Sequence, residues 1–510
     1  MSADDYAKPG RDKSPASCSP THGKLFQVQA CGVNNVGMTE LTLNEDRLFP
    51  ADPQVRQLAR QIYAQTKDLP IISPHGHVPP VWLSENQSFE NPTRLLLTPD
   101  HYINRLLHAN GVDLADLGVP MTRPVMDEEG SRKAWRLLCE NWQVFNGTAM
   151  RYWLVDQLVG VFGVTKRPSA QTADEIYDQI QAWIDDPANR PRQLMDKFNI
   201  EFIATTDDPC DDLAEHAKLQ GDEAFNAAHR VVPTFRPDKY LEPDRADWNQ
   251  LVDKLGEVSG VDVSTLAGYT EAMENRRAYF KQHGAVSSDH SHADLQTGLL
   301  PESEAERLYA KARSGEISHD EAASLRRHLL TDQIRMATED GLVLTLHPGV
   351  YRDHDAPTAN EYGADVGCDI PYAVEMTHAL RPALNQFGNH PNLHLVVFTL
   401  DEDVYSRELA PLAGFYRSVY IGVPWWFIDA PESIMRFKQS ITEMAGFSRV
   451  SGMIDDTRAF CSIPARHDMS RRLDAVHLAQ LVSSHRLELD EAQDQAVKLV
   501  ADNPRKVFKI

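Results

Sequence analysis

Residues 69–78 read LPIISPHGHV, a short apolar run that ends in two histidines separated by one glycine. A short apolar run bounded by turn-forming residues is typical of a buried β-strand. In an extended segment the side chains of residues i and i+2 lie on the same side, so His75 and His77 can reach one cation. This stretch therefore predicts a buried strand that carries chemistry at its carboxyl end.

Seven further runs of the same kind follow along the chain, and helical sequence separates most of them. Polar residues cluster just after each run, which is where a (β/α)8 barrel builds its active site. The pattern predicts an α/β fold of the TIM-barrel type. An open doubly wound sheet is the alternative, but the chain has no GxGxxG or P-loop motif to support it. The eight runs are 69–73, 200–206, 231–235, 284–288, 342–346, 393–400, 418–423 and 450–454.

Three segments fall outside this alternation. Residues 1–37 are rich in Ser, Pro, Gly and Lys and have no sustained periodicity, so we expect a disordered N-terminal extension. Residues 79–199 and 291–341 are too long for simple loops and are mainly helical in pattern. We therefore expect a helical insertion subdomain after the first strand, a smaller helical insertion after the fourth, and one barrel domain over residues 38–510.

The composition excludes several classes of protein. The 510 residues include 74 Asp and Glu against 51 Lys and Arg, a net charge of −23, whereas nucleic-acid binding needs a basic surface. No apolar run approaches the length of about 18–20 residues that a membrane helix requires. The six cysteines are scattered and form no CxxC motif, which favours a reducing cytoplasm over a disulfide framework. The oligomeric state stays open, with a homo-oligomer as one candidate.

A metal site is predicted where the first and eighth runs end. A divalent cation prefers an anionic ligand beside imidazoles, and Asp455 and Asp456 follow the eighth run, which neighbours the first when a barrel closes. Taken alone, this acidic pair also suits a capped turn. A second HxH motif, His290-Ser291-His292, follows the fourth run, across the barrel, where we expect no carboxylate from an adjacent strand. Only the first motif is therefore expected to bind metal.

Other polar residues indicate a small anionic substrate. Arginine binds carboxylates through two parallel hydrogen bonds, and several arginines near strand ends of an acidic protein favour such a ligand. His347 and His290 could ligate metal, transfer protons or be structural. His101 and Tyr102, in the first helical insertion, are either proton-transfer groups or ordinary helix-start residues. The arginines are Arg236, Arg352, Arg458 and Arg505.

Eleven motifs, in order, give the chain a resemblance to the uronate (glucuronate) isomerase family of the amidohydrolase superfamily. The resemblance runs from about Met38 to Ile510, and the number and order of the motifs make it highly specific. The motifs are LNEDRLF, PHGHV, DHYINRLLHANGV, IATTDDPCDDL, FRPDK, VSSDH, GADVGCDIP, PWWF, SRVSGMIDDTRAF, ARHDMSRR and NPRKVF.

The resemblance implies a barrel, one divalent metal ion, usually zinc, and the isomerisation of D-glucuronate to D-fructuronate and of D-galacturonate to D-tagaturonate. It implies His75, His77 and Asp456 as metal ligands, and it makes Tyr102, His101 and Asp456 candidates for proton transfer. It also implies that Arg105, Arg236, Arg458, Asn503 and Arg505 bind the substrate. Their positions at strand ends add His290, His347 and Arg352 to this set.

The expected chemistry matches these residue types. Aldose–ketose conversion through an enediol moves a proton from C2 to C1, which needs a base, an acid at the carbonyl oxygen and a clamp for the distant carboxylate. A mononuclear metal-dependent hydrolase, such as a lactonase or deaminase, would share the HxH motif and the aspartate. A non-catalytic sugar-acid binding protein is the third alternative. The fourth run ends in Asp289-His290 without a metal-bridging lysine, which favours one metal over two.

Overall fold

Parallel strands alternate with helices through the part of the chain that the computed structural model describes, residues 40–120 and 126–510. The predicted disordered extension, residues 1–37, lies outside the described residues. The strands are β1 (Ile71–Ser73), β2 (Ile200–Ala204), β3 (Arg230–Val232), β4 (Ser287–His290), β5 (Val343–Leu346), β6 (Val350–Tyr351), β7 (Ile370–Pro371), β8 (Leu395–Val397) and β9 (Val419–Ile421).

The strands pair in the order expected for a parallel barrel. One ladder runs β1–β2–β3 and another runs β4–β5–β8–β9, and all neighbours in both are parallel. Single bridges from Phe235 to Asp207 and to Ser288 link the two ladders, and a bridge from Ile421 to Val450 adds the eighth run. β6 and β7 form a separate antiparallel pair after β5. The predicted barrel-type α/β fold is confirmed.

Two of the eight runs differ from their predicted form. The fourth strand begins at Ser287, because Gly284, with φ 87°, ends the preceding helix in the left-handed conformation that glycine adopts easily. The shift places Asp289 and His290 on the strand itself. The eighth run forms no ladder beyond Val450, because Gly452, with φ 81°, turns the chain out of the extended conformation.

Helices fill both long spacers, as predicted; their division into subdomains stays a prediction. Between β1 and β2 they are Pro80–Glu85, Pro92–Leu96, His101–Ala109, Glu128–Glu140, Ala149–Asp156, Ala173–Asp185 and Pro191–Lys197. The others are Pro53–Tyr63, Ala214–Gly221, Glu223–Ala228, Trp248–Ser259, Leu266–Gln282, Glu302–Ser314, His319–Asp340, Ala356–Tyr362, Thr377–Phe387, Glu402–Val404, Ala410–Phe415, Pro431–Ala445, Ile463–Ser483, Leu489–Val497 and Asn503–Phe508.

Three helix starts carry capping signals in the sequence, and two of them form the expected caps. Asp52 caps the first helix, with Pro53 at its first position. Ser318 and Glu321 form a reciprocal capping box. Thr172 and Glu175 have the same spacing and predict a second box, but the Thr172 hydroxyl donates to the carbonyl of Arg167 and makes no cap hydrogen bond.

The apolar interior divides into two large clusters. One surrounds strands β5, β8 and β9, and the other joins the helices between β1 and β2 to β1 and β2 themselves. The helical insertion is thereby fixed to one side of the barrel, close to the end of β1. Within the described residues, no helix is both long enough and apolar enough to cross a membrane. The structure contains a single chain, so the homo-oligomer stays a prediction.

Candidate active site

A cavity of about 510 Å³ opens at the carboxyl ends of the parallel strands. Its wall combines residues that follow strands with residues from the helical insertion, so segments far apart in sequence meet there. Of the residues predicted to be functional, those that line the cavity are His75, His77, His101, Tyr102, Arg236, His347, Arg352, Asp456 and Arg458.

Two imidazoles and one carboxylate converge on the cavity floor. Asp456 Oδ1 lies 3.0 Å from His77 Nε2 and 3.4 Å from His75 Nε2. The same oxygen is buried and yet has no hydrogen-bond partner among the described residues. Lone-pair atoms that face one another without a shared proton match the ligand arrangement around a divalent cation. The described residues therefore offer a group that could hold a metal ion, with the composition that the sequence predicts.

The backbone explains why Asp456 and its neighbour Asp455 serve different partners. Asp456 has φ 42°, in the left-handed region that aspartate tolerates better than most residues. Asp455 Oδ2 is hydrogen-bonded at 3.0 Å to His467 Nε2, deep in the protein. His77 N–H donates to the carbonyl of Thr457 at 3.0 Å, which joins the segments that follow the eighth and first runs. The turn thus holds Asp456 beside the histidines.

His347 presents one ring nitrogen to the same region. Its Nδ1 lies 2.6 Å from Asp289 Oδ1, and its Nε2 is buried without a described partner. The ring stacks on His75, with centroids 5.0 Å apart. The Asp289 carboxylate at Nδ1 fixes the orientation of the His347 ring. Asp289 was named in the sequence analysis to show that the fourth run ends without a metal-bridging lysine. Its pairing with His347 could not be predicted, because that contact depends on the register between β4 and β5.

His101 and Tyr102 begin a helix and also line the cavity, so the helix-start alternative is confirmed and their role in proton transfer stays a prediction. Asp100 caps this helix by accepting the backbone N–H groups of Tyr102 and Ile103. Burial, together with the charge of Arg458, lowers the pKa of His101 to about 4. Burial raises the pKa of Tyr102 well above its usual value. At neutral pH the site therefore holds a neutral imidazole beside a protonated phenol.

A buried ion pair lies behind Tyr102. The guanidinium carbon of Arg466 is 5.1 Å from the Tyr102 ring centroid and 3.8 Å from that of Trp153. Arg466 Nη1 donates to Asp429 Oδ2 at 2.6 Å. Burial raises the pKa of Asp429 to about 7. Sequence reasoning missed Arg466. The ARHDMSRR motif contains this residue, but the motif alone does not indicate the contact with Tyr102.

Three predicted arginines reach the cavity, and each has an acidic partner. Arg458 Nη2 donates to Asp365 at 2.8 Å, and Arg352 Nη1 donates to Asp369 at 3.1 Å. Each of these hydrogen bonds orients a guanidinium group and uses only one of its three nitrogens. Arg236 Nε donates to Asp238 at 2.8 Å and also lies 3.5 Å from Asp289. Asp365 and Asp369 both belong to the GADVGCDIP motif, although sequence reasoning assigned them no role.

Four other predicted residues do not line the cavity: Arg105, His290, Asn503 and Arg505. The Arg105 guanidinium packs 4.4 Å from the ring centroid of Phe427. Arg505 pairs at 2.7 Å with Glu201, near the amino end of β2 and therefore on the face opposite the cavity. Asn503 donates to the carbonyl of Phe447. The prediction that Asn503 and Arg505 bind substrate is corrected: they fix the C-terminal helix to the barrel.

His290 is fully buried on β4, and burial lowers its pKa to about 3. It lies with His292 beside Asp238, whose carboxylate comes from the segment that follows β3. The expectation that no carboxylate from a neighbouring strand approaches the second HxH motif is therefore wrong. The reason is that the 3₁₀ turn Asp238–Leu241 brings the acidic side chain over the end of β4.

Comparison with known proteins gives a consistent result. A sequence model of the glucuronate isomerase family matches residues 51–508. A uronate isomerase from Cutibacterium acnes is 62% identical over 468 residues, which is 92% of this chain and 98% of that protein. The crystal structure of glucuronate isomerase from Caulobacter crescentus has a TM-score of 0.89 at 42% identity, covering 92% of this chain and 97% of that one. The uronate isomerase structure from Thermotoga maritima has a TM-score of 0.85 at 28% identity, covering 92% and 99%.

Proposed function

Because the chain belongs to the glucuronate isomerase family, we propose that its cavity binds an open-chain uronate and interconverts the aldose and ketose forms. The reactions are D-glucuronate to D-fructuronate and D-galacturonate to D-tagaturonate. One observation carries the proposal: a single cavity holds a metal-binding triad, a His–Tyr pair and three arginines. An isomerase that acts on an aldehyde at C1 and a carboxylate at C6 needs these three kinds of group.

His75, His77 and Asp456 would hold the divalent ion, and their two nitrogens and one oxygen favour zinc. The unpartnered Asp456 Oδ1 supports this assignment. When bound, the ion would polarise the oxygens near C1 and C2 of the sugar. Asp289 and His347 lie beside the triad and present His347 Nε2, which can form a hydrogen bond with a substrate hydroxyl.

Arg352 and Arg458 are the residues best suited to hold the substrate carboxylate. Both guanidinium groups are partly exposed at the cavity, at 42% and 36% of their side-chain surface. Asp369 and Asp365 orient them, so little rotational freedom is lost when the substrate binds. Arg236 is paired with two carboxylates near the metal triad and instead contributes positive charge there.

Replacing Arg458 with Met is expected to lower kcat/KM for glucuronate about 100-fold. A lost charge-assisted hydrogen bond costs about 1.5–3 kcal/mol, and misplacement of the substrate adds to this. Steady-state kinetics on purified protein measures the effect. A neutral aldohexose lacks the carboxylate, so its residual turnover should change little in the same variant. Unchanged glucuronate kinetics would make Arg458 only a partner of Asp365.

Arg505→Met is the matched control, because Arg505 also pairs with an acidic side chain but on the opposite face. We expect kcat/KM to stay within about twofold, since no contact with the cavity is lost. The pair is partly exposed, so its loss should lower the free energy of unfolding by about 1 kcal/mol or less. Kinetics and thermal unfolding measure the two quantities. A loss of activity comparable to that of Arg458→Met would contradict the placement of Arg505.

His101 and Tyr102 supply complementary proton-transfer groups. The low pKa of His101 leaves its imidazole neutral and able to accept the proton from C2 at neutral pH. The high pKa of Tyr102 keeps its phenol protonated and able to donate to the carbonyl oxygen as the enediol forms. His101 Nε2 lies 3.4 Å from Arg458 Nη1, so the base is adjacent to a substrate-binding group. The protonated base can then return the proton to C1, while the Tyr102 phenolate takes the proton from the C2 hydroxyl, which leaves a carbonyl at C2 and restores the phenol.

The direct test is incubation of the purified protein with D-glucuronate and, separately, with D-galacturonate in deuterated buffer. We expect ketose to form, with solvent deuterium at C1 of the product to the extent that the base exchanges with solvent. The same preparation should be assayed against sugar lactones and aminated sugars. Lactone hydrolysis or deamination without isomerisation would instead support a mononuclear metal-dependent hydrolase. Binding of uronate without any turnover would support a sugar-acid binding protein.

A further inference from the structure

A second group of metal-ligating atoms lies beside the active-site cavity, where the segment after β3 meets the end of β4. Ligand atoms of Asp238, His290 and His292 all lie within 4.8 Å of one another. His290 is 0% exposed and His292 is 4% exposed. We propose that these three residues bind a second divalent cation, of the zinc-like transition-metal class, separate from the proposed catalytic metal.

The hydrogen-bond inventory carries this proposal. Both ring nitrogens of His290 and Nε2 of His292 are buried without a partner among the described residues. A buried polar atom left unpaired destabilises the fold, so three such atoms in one cluster indicate a bound ligand. A cation accepts one lone pair from each histidine and removes most of this cost at a single point.

The ring of His292 is oriented for metal binding. Its Nδ1 lies 2.7 Å from Glu242 Oε1, and its Nε2 lies 3.9 Å from Asp238 Oδ1. A carboxylate behind a histidine in this way is typical of protein metal sites, because it fixes the ring and raises its basicity as a ligand. His292 is thus held in place by Glu242, a residue that is not part of the cavity wall.

Asp238 supplies the anionic ligand. Its Oδ1 accepts the backbone N–H of Ser291 at 2.9 Å and lies 3.9 Å from His292 Nε2, so a lone pair remains for a cation. Two imidazoles with one carboxylate select zinc-like metals over calcium or magnesium, which prefer oxygen ligands. A bound cation would join the segment after β3 to β4, and Asp238 also orients Arg236 in the cavity wall.

Metal stoichiometry tests the proposal. The purified full-length chain is stripped with a chelator, and Zn²⁺ is titrated by calorimetry, with elemental analysis after gel filtration. We expect two tight equivalents per chain for the wild type, one for His77→Asn, one for His292→Gln and none for the double variant. Co²⁺ loaded into His77→Asn should give visible d–d bands, and the double variant should lose them.

The controls separate a built site from non-specific binding. His378→Gln removes a histidine that is 87% exposed and pairs with Glu375, so its stoichiometry should stay at two. His77→Asn keeps the second cluster intact, so its count does not depend on whether His292→Gln folds. If an ordered water occupies the second cluster instead of a cation, the wild type should bind one equivalent of Zn²⁺ and His77→Asn should bind none. This result would overturn the proposal. Two equivalents in folded His292→Gln would overturn it equally.

Discussion

Replacing His77 with Asn is expected to remove one tightly bound metal ion per chain and to lower kcat for glucuronate about 1,000-fold or more. The variant keeps a smaller polar side chain but loses the ring nitrogen that lies 3.0 Å from Asp456 Oδ1. Metal-ion polarisation of a reacting oxygen contributes several kcal/mol, and about 4 kcal/mol corresponds to a 1,000-fold change in rate. Elemental analysis and steady-state kinetics on the same preparation measure both effects.

The fold should survive this substitution. The His77 side chain is 27% exposed and lies at the cavity, so no apolar packing is lost. His378→Asn, at an exposed position far along the chain, controls for the loss of a histidine and should keep wild-type metal content and turnover. A folded His77→Asn variant with full metal content and normal kcat would contradict the assignment of the catalytic metal site to the first HxH motif.

The convergence of His75, His77 and Asp456 could be predicted because it depends on local and topological rules. The i, i+2 spacing puts His75 and His77 on one side of an extended segment, and barrel closure puts the eighth run beside the first. Both rules act without knowledge of side-chain packing. The hydrogen bond from His77 N–H to the Thr457 carbonyl shows that the two segments do meet.

The residues that orient the catalytic groups could not be found in this way. Asp289 meets His347, and Asp429 meets Arg466, through contacts between segments that are distant in sequence. No periodicity or spacing relates such pairs, because the relative positions of whole strands and helices determine the contact. Motif membership was also a weak guide. Arg466 belongs to the ARHDMSRR motif, but the motif does not indicate that its side chain lies beside Tyr102.

Asn503 and Arg505 illustrate the opposite error. They belong to a specific motif, and arginine and asparagine are suitable substrate ligands, so the sequence favoured a role in binding. The motif instead begins the last helix, and that helix packs at the amino ends of the strands, where Arg505 meets Glu201. A residue can therefore belong to a family motif because it fixes the barrel, and only the face on which it lies separates the two roles.

Replacing Tyr102 with Phe is expected to lower kcat by about 100- to 10,000-fold while KM changes only a few-fold, since a positioned proton donor contributes rate enhancement of that size. Phenylalanine keeps the edge-to-face contact with Trp153, whose ring centroid lies 5.3 Å away, so only the hydroxyl is lost. In the proposed binding mode Arg352 and Arg458 would still hold the carboxylate, so we expect substrate binding to be preserved. Steady-state kinetics with glucuronate between pH 5 and pH 9 measures the effect.

The pH profile distinguishes a catalytic hydroxyl from a structural one. Burial keeps the pKa of Tyr102 well above the assay range, so the phenol is protonated throughout and gives neither limb of the profile. The variant should therefore show a profile of wild-type shape, shifted down by a constant factor. Tyr177→Phe is the matched control, because it removes a buried hydroxyl that donates to Glu128, away from the cavity, and should leave kcat unchanged. Unchanged kcat in Tyr102→Phe would exclude this phenol from proton transfer and leave His101 beside Arg458 as the group to examine.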